Sequence, residues 1–183
     1  MKRALASARG QFFLVFVLIF CSQASSAQTP SPSFEMKDIN GNLHNLEEYK
    51  GKITIVSFWA TWCVPCKEEM PVLVDAYKKW KDRGLVILAA SFDNEQTQPN
   101  IPDFVKKYKM QFPVLIGGTP EHLQQFEMGE YLPATVFINQ NGEIVSRILG
   151  QARKKEVVER VEWLLGDRPG KKPPAAIVDH RPK

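Results

Sequence analysis

Two cysteines, Cys63 and Cys66, stand two residues apart in the segment Cys63-Val64-Pro65-Cys66. A thiolate attacks disulfides, and a neighbouring thiol can resolve the mixed disulfide that forms. A pair this close closes a loop too short to stabilise a fold of this size much, because the benefit of a disulfide grows with loop length. The spacing therefore points to reversible oxidation more than to a structural staple. Three other readings compete. A structural zinc site usually needs four ligands, and the remaining cysteine, Cys21, and the histidines His44, His122 and His180 are scattered. Two thiolates could nevertheless hold or transfer a soft ion such as Cu(I). The last reading is an idle surface disulfide.

The redox reading requires elements that stabilise a thiolate at Cys63. Residues 53–59 are β-branched and apolar almost throughout, which predicts a strand buried on both faces. From Cys66 onward Met70, Leu73, Val74, Tyr77 and Trp80 recur every three or four residues, which predicts a helix stopped by Gly84 and kinked at Pro71. Cys63 then lies near the helix N-terminus, where the dipole and unpaired N–H groups lower a thiol pKa. Cys63 is the expected nucleophile. Cys66, on the inner side, is the expected resolving thiol.

Around this pair the pattern predicts an α/β fold, a sheet with a parallel portion and an antiparallel edge, and helices on both faces. A hairpin is expected at 34–37 and 43–46, around Asn40-Gly41-Asn42. Further strands are expected at 85–92, 114–116, 135–138 and 144–149, the last two joined by Asn139-Gln140-Asn141-Gly142. Asn100 is placed to cap a helix opened by Ile101-Pro102. Thr119-Pro120 begins a short helix, and 154–165 is amphipathic.

The chain has 183 residues, 44% hydrophobic and 24% charged, enough for one globular domain with tails. Its net charge of +4 resides in the two ends, leaving a slightly acidic body and no basic footprint for nucleic acid. Residues 1–27 read as a signal peptide: Lys2, Arg3 and Arg9, an apolar run over 12–20, then Ser25-Ser26-Ala27 as a cleavage site. That run is about half the ~20 residues a membrane span needs, so cleavage is favoured over a retained anchor. Leu18-Ile19-Phe20-Cys21 faintly suggests a lipoprotein signal, but Phe20 is bulky where a small residue is wanted. After cleavage Cys63 and Cys66 are the remaining cysteines, in an oxidising compartment. Residues 28–33 read as a linker, 34–165 as the domain and 166–183 as a disordered tail rich in Pro and Lys.

The segment Trp59-Ala60-Thr61-Trp62-Cys63-Val64-Pro65-Cys66-Lys67-Glu68-Glu69-Met70-Pro71 resembles the active site of thioredoxin-like proteins. More narrowly, it resembles the exported TlpA/ResA-type thiol–disulfide oxidoreductases. The resemblance runs from about Phe34 to Leu165 and takes in Phe92-Asp93 and Leu132-Pro133-Ala134-Thr135. It implies a thioredoxin-like fold with an added N-terminal hairpin. It implies that Pro133 is a cis-proline packed against the disulfide, with Leu132 free to pair with an extended client; an ordinary proline at a strand start is the alternative. Trp62, Val64 and Pro65 would complete the contact surface, and Trp59 would be core. Glu69, one turn past Cys66, would take or return the Cys66 proton; a solvated helix glutamate is the alternative. Ser57 stands where general thioredoxins carry a buried Asp, which shifts proton transfer toward Glu69 or water. Ala60 stands where peroxiredoxins carry Thr. The implied activity is reduction of protein disulfides, such as those of apocytochrome c or a copper-site protein. Re-reduction would come from a membrane electron donor, with no cofactor, no metal and a monomeric chain.

Overall fold

The computed structural model describes residues 29–182. The expected signal peptide and Cys21 lie outside the described residues. Strands β1 (Thr29–Pro30), β2 (Glu35–Lys37), β3 (Leu43–Asn45) and β4 (Ile53–Trp59) lead into helix α1 (Val64–Trp80). Then follow β5 (Leu85–Ser91), α2 (Ile101–Tyr108), β6 (Val114–Leu115), α3 (Pro120–Gln125), β7 (Ala134–Ile138), β8 (Glu143–Leu149), α4 (Lys154–Leu164) and β9 (Ile177–Asp179).

The main sheet runs β1-β8-β7-β4-β5-β6, with β9 also on β8. β4 is parallel to β5 and antiparallel to β7, so the parallel and antiparallel halves meet at β4. All seven residues of β4 are buried, as its apolar run requires for a strand covered on both faces. Its side chains alternate between two cores. Ile53, Ile55 and Trp59 face α1, α2 and α4, among Met70, Leu73, Phe104, Val157 and Val161. Val56 and Phe58 face the β2–β3 hairpin and α3, among Phe34, Met36, Leu123 and Phe126. Truncating a side chain such as Leu73 to Ala would cost about 2–5 kcal/mol. The mixed sheet, the helices on both faces and the added hairpin agree with the expected thioredoxin-like α/β class.

Three local expectations are corrected. Asn100 makes no side-chain cap: its backbone is already helical, because a 3-10 turn over Gln98–Asn100 runs directly into α2. The expected linker begins with β1, which pairs antiparallel with Ile144 and Glu143 of β8. The expected disordered tail contains β9, which pairs parallel with Arg147, Ile148 and Leu149. The cause of the last two is the same. β7 occupies one edge of β8, and the other would expose unpaired N–H and C=O groups; the two flanking segments cover it. The tail is also clasped by side chains. Ser146 Oγ donates to the Ala175 carbonyl at 2.7 Å, and Arg160 Nη2 donates to the same oxygen at 3.1 Å.

Candidate active site

β4 delivers the chain to the site, and Asp93 just beyond β5 fixes where it arrives. The buried Asp93 carboxylate accepts the Thr61 N–H at 2.9 Å, the Thr61 hydroxyl, and the Ser91 hydroxyl at 2.7 Å. Phe92 N–H donates to the Trp59 carbonyl at 2.7 Å. Gly118 closes in behind: its N–H donates to the Ser91 carbonyl at 2.8 Å, and a Cβ there would stand 2.5 Å from the Phe92 ring. The turn over residues 60–62 is thereby held before Cys63 begins α1. Phe92-Asp93 belongs to the sequence pattern, but this clamping role of Asp93 was not legible.

Cys63 is the N-cap of α1 and Pro65 occupies its first turn, where the missing N–H costs nothing. Cys63 and Cys66 are joined as a disulfide with Cα atoms 5.3 Å apart. The Cys66 N–H points at Cys63 Sγ, 3.2 Å away, so a thiolate formed at Cys63 would find a donor in place. No acidic residue occupies the first turn of the helix to oppose that charge. Cys63 is 5% exposed and Cys66 1%.

Glu69 is not a solvated helix residue. It is 1% exposed and lies one helical turn past Cys66. Its Oε1 accepts the Thr135 hydroxyl at 2.6 Å and the Ser57 hydroxyl at 3.3 Å; its Oε2 accepts the Ala152 N–H at 2.7 Å. Ser57 and Thr135 are direct neighbours across β4 and β7. The carboxyl thus hangs from the helix onto the strand position where general thioredoxins carry their acid. Burial raises its pKa from the ordinary 4.5 to about 7, against the three hydrogen bonds, which favour the charged form. A group poised near neutral pH can both accept and return a proton. Neither Thr135 nor Ala152 was anticipated as a partner; the one hint was a polar residue, Thr135, in a buried strand.

Outward from Cys63 lies an open groove of about 660 Å³, lined by Trp62, Val64, Pro65, Phe92, Leu123 and Leu132 among others. Trp62 and Val64 stand out at 56% and 64% exposed. The Leu132–Pro133 peptide is cis. Leu132 precedes the first ladder residue of β7, Ala134, so its backbone lies outside the sheet pairing. Trp62, Cys63, Val64, Pro65 and Leu132 thus line one groove, while Cys66, bonded to Cys63, and Glu69, one turn further along α1, are buried, and Pro133 follows Leu132 through the cis peptide. Trp59 is fully buried, its ring 4.5 Å from that of Phe104. Among the described residues no cluster of three or more His, Cys, Asp or Glu is placed to hold a metal ion.

The comparisons agree with this geometry. The model of the AhpC/TSA family matches residues 27–147. Thiol-disulfide oxidoreductase ResA of Bacillus cereus is 34% identical over 127 residues, covering 69% of this chain and 72% of that protein. ResA of Bacillus subtilis is 30% identical over 139 residues, 75% of this chain and 76% of its own length. Among solved structures, a thiol:disulfide interchange protein of the thioredoxin family from Chlorobium tepidum TLS superposes with a TM-score of 0.68 at 30% identity, covering 78% of this chain and 100% of that one. StoA from Bacillus subtilis gives 0.58 at 28% identity, covering 70% and 96%. With a bonded Cys63–Cys66 pair at the start of a helix in a thioredoxin-like fold, the chain belongs to the AhpC/TSA family and is a thiol–disulfide oxidoreductase similar to ResA.

Proposed function

We propose that the protein is exported by its N-terminal signal and reduces disulfides in other proteins outside the cytoplasm. The observation that carries this reading is the placement of one disulfide between an open apolar groove and a buried carboxyl. The reduced Cys63 thiolate attacks a client disulfide, forming a Cys63–client bond and releasing one client thiolate. Cys66 loses its proton to the Glu69 carboxylate and attacks Cys63 Sγ. That step releases the second client thiolate, reforms the Cys63–Cys66 disulfide and leaves the client reduced by two electrons. Trp62, Val64 and Pro65 contact the client, and the Leu132 backbone pairs with it beside Pro133 as an added strand. A membrane electron donor then returns the enzyme to the dithiol.

The absence of charge or histidine at Val64 supports a reductant over an oxidant, since nothing between the cysteines favours the Cys63 thiolate strongly. The likeness to ResA supports clients such as apocytochrome c or the cysteines of a copper-site protein, with the chain acting as a monomer. The test is reduction of insulin by the dithiol protein, run beside a Cu(I) titration. Catalytic insulin reduction is the expected result. Stoichiometric, tight Cu(I) binding with no exchange activity would overturn it in favour of a metal-transfer module.

A further inference from the structure

The tail meets the body of the protein at a loop with an unusual set of contacts. Residues 150–153 join β8 to α4. Within them Gly150 N–H donates to the Pro133 carbonyl at 2.9 Å, and Ala152 N–H donates to Glu69 at 2.7 Å. This short loop therefore holds the cis-proline segment with one amide and the buried carboxyl with another. The tail presses on its other side. His180 N–H donates to the Leu149 carbonyl at 2.7 Å. Gly150 has φ +85°, and a Cβ there would lie 3.0 Å from the His180 carbonyl carbon and 3.2 Å from the Arg181 nitrogen, so tail and loop backbones are in contact. Finally, the His180 ring reaches α4: its Nε2 is 2.7 Å from Glu156 Oε1. The other oxygen of Glu156 accepts the Arg153 N–H at 2.9 Å, the amide next to Ala152.

We propose that His180 is a positioning residue of the redox site, clasping Glu156 and so fixing the loop whose amides hold Glu69 and Pro133. The inference rests on the reading of Glu69 as the proton carrier for Cys66. It reaches beyond the family match, which ends at residue 147, before the loop, α4 and the tail. Covering the β8 edge does not require this clasp. β9 already pairs with Arg147, Ile148 and Leu149, and Ala175 is held by Ser146 and Arg160. The His180 ring adds only the link to Glu156. The charged groups around His180 are Glu156 on α4, and Asp179 and Arg181 on its own segment, which pair with each other at 2.7 Å. Glu69 faces the Ser57 and Thr135 hydroxyls and the Ala152 amide, with Glu156 as the neighbouring charge.

Loss of the clasp has a signed consequence. A slack loop weakens the Ala152 hydrogen bond, which favours the Glu69 carboxylate, so the carboxyl binds its proton more tightly. The full-length reduced protein is compared with His180→Ala and His180→Gln by carbon NMR titration of the Glu69 carboxyl and by the rate of insulin reduction. His180→Ala should raise the Glu69 midpoint by about one pH unit and slow insulin reduction several-fold at pH 7. Gln, which can still donate to Glu156, should restore both. An unmoved midpoint in His180→Ala overturns the proposal, whatever happens to the melting temperature. A moved midpoint in a protein with no exchange activity supports the positioning and refutes the reading it rests on.

Discussion

The two sulfurs of one bond face opposite environments. Outside, Cys63 opens on a groove flanked by Trp62 and Val64, each more than half exposed. Inside, Cys66 and Glu69 are each 1% exposed and sit among core side chains and paired hydroxyls. The outer region is apolar surface held rigidly from behind by Asp93 and Thr61. The inner region is a single ionisable group in a low-dielectric pocket. The contrast divides the labour. On the proposed mechanism, the outer face governs which disulfide is met, and the inner face governs when a proton moves.

The comparison breaks most sharply at the sulfurs. Cys63→Ser should reduce turnover to background, because no attacking thiolate remains at the groove. Cys66→Ser should instead accumulate a mixed disulfide with insulin, visible on a non-reducing gel. Equal behaviour of the two variants would contradict the division.

The inner face comes next. Burial holds the folded Glu69 pKa at about 7, above its ordinary 4.5, so folding favours the protonated form. The carboxyl then brings no penalty below about pH 4.5, and stability is lost as pH rises from there through 7. The full loss is ~3 kcal/mol, from 1.36 kcal/mol per pKa unit. Glu69→Gln can point its carbonyl at Ala152 N–H and its amide at the Thr135 hydroxyl, so it should remove this dependence. Urea denaturation of both proteins from pH 4 to 8 should show their stability difference growing with pH in favour of Gln. A constant difference would contradict the buried, titrating carboxyl.

Asp93→Ala leaves the Thr61 N–H buried without its acceptor and should cost about 1–3 kcal/mol, measured by the same denaturation at pH 7. It should also raise KM for insulin, since the turn carrying Trp62 loses its anchor. The smallest effect on stability is expected outside. Trp62→Ala should change it by no more than about 0.5 kcal/mol, yet raise KM several-fold if the ring contacts clients.

What the sequence made legible follows physical range. β4 and α1 announce themselves because their burial patterns are local, a continuous apolar run in one and a three-to-four spacing in the other. The cysteine pair at the start of the helix is local too. Glu69 could be placed one turn from Cys66, but not its burial. Its partners Ser57, Thr135 and Ala152 lie 12, 66 and 83 residues away in sequence. The Asp93 clamp spans 32 residues and was hidden for the same reason. The tail was misread because its Pro and Lys content argues for disorder, while the open edge of β8, which orders Ile177-Val178, is a property of the folded sheet.

The measurement that bears most directly on the account is the reduction potential of the Cys63–Cys66 pair, equilibrated against defined thiol–disulfide buffers. A groove-facing cysteine with no charge or histidine between the pair, backed by a buried carboxyl, should give a reducing couple near the about −270 mV of thioredoxin. A value near the about −120 mV of a strong oxidant would contradict the reductase reading and reverse the flow of electrons through the site.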